Sequence, residues 1–88
     1  MNIEELTQEI EATFEIYTLD QIPFRIAELQ DLLDRDIWRA ENLRNRALSG
    51  KKLRKDQAST LRQSCASQRR LRLIIRALKE SYAYRVDA

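Results

Sequence analysis

Histidine is absent from this sequence, and cysteine, proline, glycine, tryptophan and methionine occur once each. Each scarcity removes a class of structure or chemistry. One cysteine forms no intrachain disulfide, and without histidine the usual zinc ligand sets cannot be assembled, so no metal and no cofactor are expected. The commonest general base is missing, and no glycine-rich loop exists to cradle a phosphate. The carboxylates are plentiful but carry helix-surface spacing, so the chain is not expected to be an enzyme. With one glycine and one proline there is little to make turns, and the chain should consist of few, long helices. No apolar run approaches the about 20 residues of a membrane span, and MNIEELTQEI lacks the basic and apolar regions of a signal peptide. The expectation is a cytoplasmic protein with no membrane contact.

What remains is apolar and charged in helix-forming proportions. Of 38 apolar residues, 20 are Leu or Ile and nine are Ala. A chain of 88 residues makes one domain, and at that size only about 60 to 65% of the unfolded surface is buried, so the core must be thin. The net charge of +2 conceals a division. Residues 1–42 hold 3 basic and 11 acidic side chains, a balance of −8, and residues 43–88 hold 13 basic and 3 acidic, a balance of +10. Such asymmetry serves a nucleic-acid surface or lets the two halves pair with each other.

The stretch from Asp20 to Leu48 organises the rest. Ile22, Ile26, Leu29, Leu33, Asp36, Ala40, Leu43 and Ala47 step by four and three, the seam of a helix built to lie along another. Before it, Ile3, Leu6, Ile10, Phe14 and Tyr17 form one apolar stripe, opened by a capping box between Asn2 and Glu5. Pro23 restricts the residue before it and is tolerated in a first turn, so the chain breaks at 18–22, with Asp20 as the cap of the second helix. The short break folds the first helix antiparallel onto the first half of the second, with Ile3 near Ile37 or Trp38 and Tyr17 near Ile22. Ser49 and Gly50 end the second helix, the glycine taking a left-handed conformation. A third helix then carries Leu61, Ser64, Gln68, Leu71, Ile75, Leu78 and Tyr82 on its seam.

The fold class expected is all-α: a single helical domain over residues 1–88, with helices over about 2–18, 20–48 and 53–85. A short helix precedes a long antiparallel hairpin, completed by self-association or by a partner. The register places Leu29 against Leu71 or Arg72, Ile26 against Ile75 and Ile22 against Leu78. Asp36 then meets Cys65 and Gln68, a polar seam position that fixes register at a cost in stability. Cys65 reads as a small apolar residue of that interface. The design resembles, in architecture alone, that of small secretion co-chaperones and plasmid copy-number regulators, and no functional position is carried across.

Three constellations stand out. Arg62, Arg69 and Arg76, seven apart, with Arg72 and Lys79, make a basic stripe on the third helix. It serves either an intramolecular zipper, Glu4 to Arg69 and Glu11 to Arg76, or phosphate binding. The hairpin tip gathers Arg44, Arg46, Lys51, Lys52, Arg54 and Lys55 with no acid among residues 43–55, either a docking site for an acidic partner or a solvated loop. Trp38, with Ile37 beside it and Phe24 two heptads earlier, lies off the seam, and Leu73, Tyr82 and Tyr84 add apolar area on the third helix. Either the first helix covers Trp38, or these residues bind a partner. The function expected is a small adaptor, inhibitor or co-chaperone that binds a protein through this apolar surface and the cationic tip, a second copy of the chain, giving a homodimer, being one candidate occupant. The alternative is a nucleic-acid-binding protein using the tip and the arginine stripe.

Overall fold

A computed structural model describes all 88 residues, Met1–Ala88. It contains three α-helices and no strand: α1 over Ile3–Ile16, α2 over Ile22–Leu48 and α3 over Lys55–Asp87. The local sequence accounts for each boundary. Asn2 Oδ1 accepts the N–H of Glu5 at 2.8 Å, while the Glu5 carboxylate accepts from the Asn2 side-chain amide at 3.4 Å. Half of the capping box is therefore present, its return bond taken from a side chain rather than the backbone. α1 stops where Tyr17 turns extended, at ψ 142°.

Asp20 does not cap α2. It lies in a 3₁₀ turn, Leu19–Gln21, in which the Thr18 N–H donates to Gln21 Oε1 at 3.0 Å. Gln21 is already helical and Pro23 occupies the first turn of α2, so one of the amides a cap would satisfy does not exist. At the other end, Gly50 adopts φ +81°. Its N–H donates to the Ala47 carbonyl at 3.2 Å and that of Lys51 to the Arg46 carbonyl at 3.1 Å. These two bonds are the Schellman closure, which uses carbonyls left free at the helix end. The Arg54 N–H donates to Gln57 Oε1 at 3.0 Å and opens α3.

α2 and α3 pack along their length as the hairpin. Ile22 and Leu78 are fully buried, and Leu29, Leu33, Ile74, Ile75 and Leu78 join Ile10 of α1 in the one core cluster. Each such side chain contributes about 1.5 to 3 kcal/mol when removed from water. Toward the tip the seam turns polar. Ser64 donates from Oγ to Asp36 Oδ2 at 2.7 Å and accepts from Gln68 Nε2 at 3.4 Å. Ser64 and Gln68 are each 6% exposed, and no buried side-chain nitrogen or oxygen is left without a partner. The expected pairing of Asp36 with Gln68 thus runs through Ser64.

The placement of α1 corrects the expectation. It docks chiefly on α3, not on the first half of α2. Leu6, Ile10 and Phe14 face the core, the Glu9 carboxylate lies 3.7 Å from Arg70 Nη2, and the Arg85 guanidinium sits 3.9 Å from the centroid of the Phe14 ring. α1 therefore runs parallel to α3. Charge balance favours this placement: α1 carries five glutamates and no base, the near half of α2 carries Glu28, Asp31, Asp34 and Asp36 against Arg25 and Arg35, and α3 is basic. Ile3, expected near Ile37 or Trp38, is 83% exposed. Tyr17 does sit over the start of α2, with the Arg25 guanidinium 5.7 Å from its ring centroid.

Candidate interaction faces

The outer side of α2 is where α1 was to lie, and it is bare. Trp38 is 68% and Phe24 73% exposed. Phe24, Asp31 and Trp38 recur every seven residues, so they share a line along the helix, opposite the seam. Asp31 pairs with Arg35 at 2.8 Å between them, and Asp34, Arg35 and Arg39 rim the indole. Phe24 and Trp38 are about 21 Å apart along the axis, four turns of helix, so they are two anchors on one line rather than one pocket.

The other expected contact residues are dispersed. Ile37 is half-buried and packs against the core cluster, because its position next to the seam turns it under the hairpin. Tyr82 is half-buried at its seam position. Leu73 lines the groove between α1 and α3 with Met1, Ala12 and Ala66, and Tyr84 is exposed near the C-terminus. Further apolar residues outside this set are exposed, among them Leu32, Ile16 and Leu48. Ile16 faces away from the Leu6, Ile10, Phe14 stripe, and Leu48 protrudes from the tip at 86% exposure. The signal for Leu48 was its place one residue past the seam alanine, just before the helix stop.

At the tip, Arg44, Arg46, Lys51, Lys52, Arg54 and Lys55 are all exposed. Arg54 lies 3.6 Å from Asp56, and Arg44 Nη2 donates to Cys65 Sγ at 3.2 Å. The remaining four meet no acid. Cys65 itself is half-buried.

The zipper between α1 and the stripe of α3 does not form. Glu4 and Glu11 pair with nothing, Arg62 and Arg69 pair with nothing, and Arg76 reaches Glu80 of its own helix at 3.3 Å. The geometric cause is that α1 docks on the side of α3 marked by Arg70, Ile74 and Ala77, around the helix from the stripe. No three His, Cys, Asp or Glu side chains group as a metal site would require, and no helix is long and apolar enough to cross a membrane.

Fold and faces together define a helical hairpin braced by a short third helix, with an aromatic line on α2 and a cationic stripe and tip on the basic half. No family model, curated protein or solved structure is significantly similar to the chain.

Proposed function

We propose that the protein is a small non-enzymatic adaptor, inhibitor or co-chaperone that binds another protein along the outer side of α2, with the cationic tip steering the encounter. The observation that carries this reading is the exposure of Trp38 and Phe24 on one line of a helix whose opposite side, through Ile22, Leu29, Leu33 and Ala40, is buried in the hairpin. An indole with a charged rim is the composition of an interface hot spot, an aromatic anchor inside a polar ring. Two anchors four turns apart suit a partner helix lying along α2.

The surface area supports the same reading. The chain exposes 6844 Å², whereas a compact monomer of 10.4 kDa exposes about 5,400 Å². Its radius of gyration is 16.3 Å, against about 12 Å for a compact domain of this length. The excess, about 1,400 Å², exceeds the about 800 Å² that each side of an ordinary protein interface covers. The test is capture by the immobilised protein compared with capture by its Trp38→Ala and Phe24→Ala variants, each checked for helicity by circular dichroism. A partner retained by the parent and lost by both folded variants supports the reading. A partner retained equally by all three overturns it.

A further inference from the structure

The stripe on α3 is a second face with different chemistry. α3 begins at Lys55, which puts Lys55, Arg62, Arg69 and Arg76 seven residues apart on one column, with Arg72 and Lys79 beside it. A seven-residue column drifts about 20° per repeat on a straight helix, which brings Arg76 in beside Arg72 and Lys79. All six side chains are exposed, and only Arg76 belongs to an ion pair, with Glu80, both members being mostly in solvent. Glu80 is also the one acid lining the shallow groove that Arg72, Arg76 and Lys79 share with Gln30 of α2. On the other edge Arg69 borders a groove containing Glu5 and Glu9 and pairs with neither.

The stripe has one large apolar side chain at its edge, Leu73, which lines the groove beside α1 together with Arg69, and none between its cations. The exposed apolar residues of α3 are Leu73, Tyr84 and Val86; Leu73 lies in the groove beside α1, and the other two lie beyond Lys79. A protein interface needs apolar anchors at its centre, and a membrane-lying helix needs them to enter the lipid. A polyanion needs neither. Its phosphates are held by charge, with release of counterions. Along the stripe, Arg69, Arg72, Arg76 and Lys79 step by three or four residues, about 5 to 6 Å, so successive guanidinium and ammonium groups meet successive backbone charges. From Lys55 to Lys79 the helix runs about 36 Å, one turn of a duplex at about 3.4 Å per base pair. No aromatic ring lies among the six cations to stack on an unpaired base, which favours paired over single strands. We infer that this face of α3 binds the phosphate backbone of duplex nucleic acid without reading its sequence, with Arg46, Lys51 and Lys52 of the tip extending its field at one end.

The test is the anisotropy of a labelled DNA duplex of about two helical turns, titrated with the full-length protein between about 50 and about 200 mM salt. Six phosphate contacts give a slope of log affinity on log salt near −5 and a loss of about a thousandfold across that range. R62Q/R69Q/R72Q, with its helicity checked, removes three contacts and makes the slope shallower by about 2.7. R35Q/R39Q, which removes two cations from α2, leaves the slope unchanged. The inference is overturned by absence of binding at the lower salt, by equal slopes for the parent and R62Q/R69Q/R72Q, or by an equal effect of R35Q/R39Q. It is also overturned if oligo-dT binds as tightly as the duplex, or if phosphatidylserine vesicles displace the duplex at equal phosphate. The aromatic line on α2 plays no part here, so Trp38→Ala binds the duplex as the parent does whether or not a protein partner exists.

Discussion

Removing one hydroxyl from the hairpin seam should destabilise the protein measurably, although the substitution improves local helix propensity. Ser64 is 6% exposed. Its Oγ donates to the Asp36 carboxylate at 2.7 Å and accepts from the amide of Gln68, itself buried, at 3.4 Å. Ser64→Ala takes away both bonds. A hydrogen bond to a charged group is worth about 1.5 to 3 kcal/mol, and the loss falls toward the lower end because the half-exposed Asp36 regains water on its open side. The buried Gln68 amide has no such recourse. Alanine returns about 0.5 kcal/mol of helix propensity. The net is about 1 to 2 kcal/mol of destabilisation, or about 5 to 15 °C in Tm for a domain of this size. The control is Ser67→Ala, exposed on the same helix three residues on, where propensity acts alone and the sign reverses. Urea and thermal unfolding followed by circular dichroism give both values, and a double-mutant cycle with Asp36→Ala should return a coupling of about 0.5 to 3 kcal/mol. If Ser64→Ala matches Ser67→Ala in sign and size, the polar seam contributes nothing and the reasoning is wrong.

Other substitutions separate core from surface. Leu78→Ala empties a fully buried site at the centre of the cluster and should cost about 3 to 5 kcal/mol in urea unfolding. Trp38→Ala, on the outer side of α2, should stay within about 0.5 kcal/mol of the parent in the same assay. Gly50→Ala meets no neighbour within 4 Å, so its cost is the left-handed φ of +81° alone, about 1 to 2 kcal/mol, and Gly50→Asn should cost less. Arg70→Ala breaks the one ion pair between α1 and the hairpin, at a site where both partners are substantially exposed. It should change stability by no more than about 1 kcal/mol, an effect that salt removes.

The hairpin was legible because its signals are local and mutually consistent. The four-three stepping of Ile22 to Ala40, the single glycine and the matching row through Leu71, Ile75 and Leu78 leave one register in which apolar rows meet, and the Asp36 to Ser64 bond fits that register. The position of α1 was not legible from loop length. A five-residue break permits a return onto either helix of the hairpin, and the choice turned on the summed charge of surfaces that come together only in three dimensions. With α1 on α3 the alternative in which it covers Trp38 falls away, and because α1 meets the Arg70 side of α3 rather than the Arg69 column, so does the zipper from Glu4 and Glu11. Ile37 and Trp38, neighbours in sequence, fall on different sides of α2 because 100° separates consecutive residues, which a residue-by-residue reading of apolar character does not resolve. The exposure of the arginine stripe was one of two alternatives in the sequence, and the docking of α1 on the side of Arg70 decided between them.

Trp38 is the only tryptophan, so its fluorescence reports directly on whether the outer side of α2 is open. The decisive measurement is acrylamide quenching and emission of the dilute protein, at a concentration shown to be monomeric by sedimentation. With Trp38 exposed, quenching should be close to that of free tryptophan and the emission red-shifted, moving to the blue when a partner helix is bound. A blue, quench-resistant emission from a monomer of full helicity would put Trp38 in the core and contradict the account.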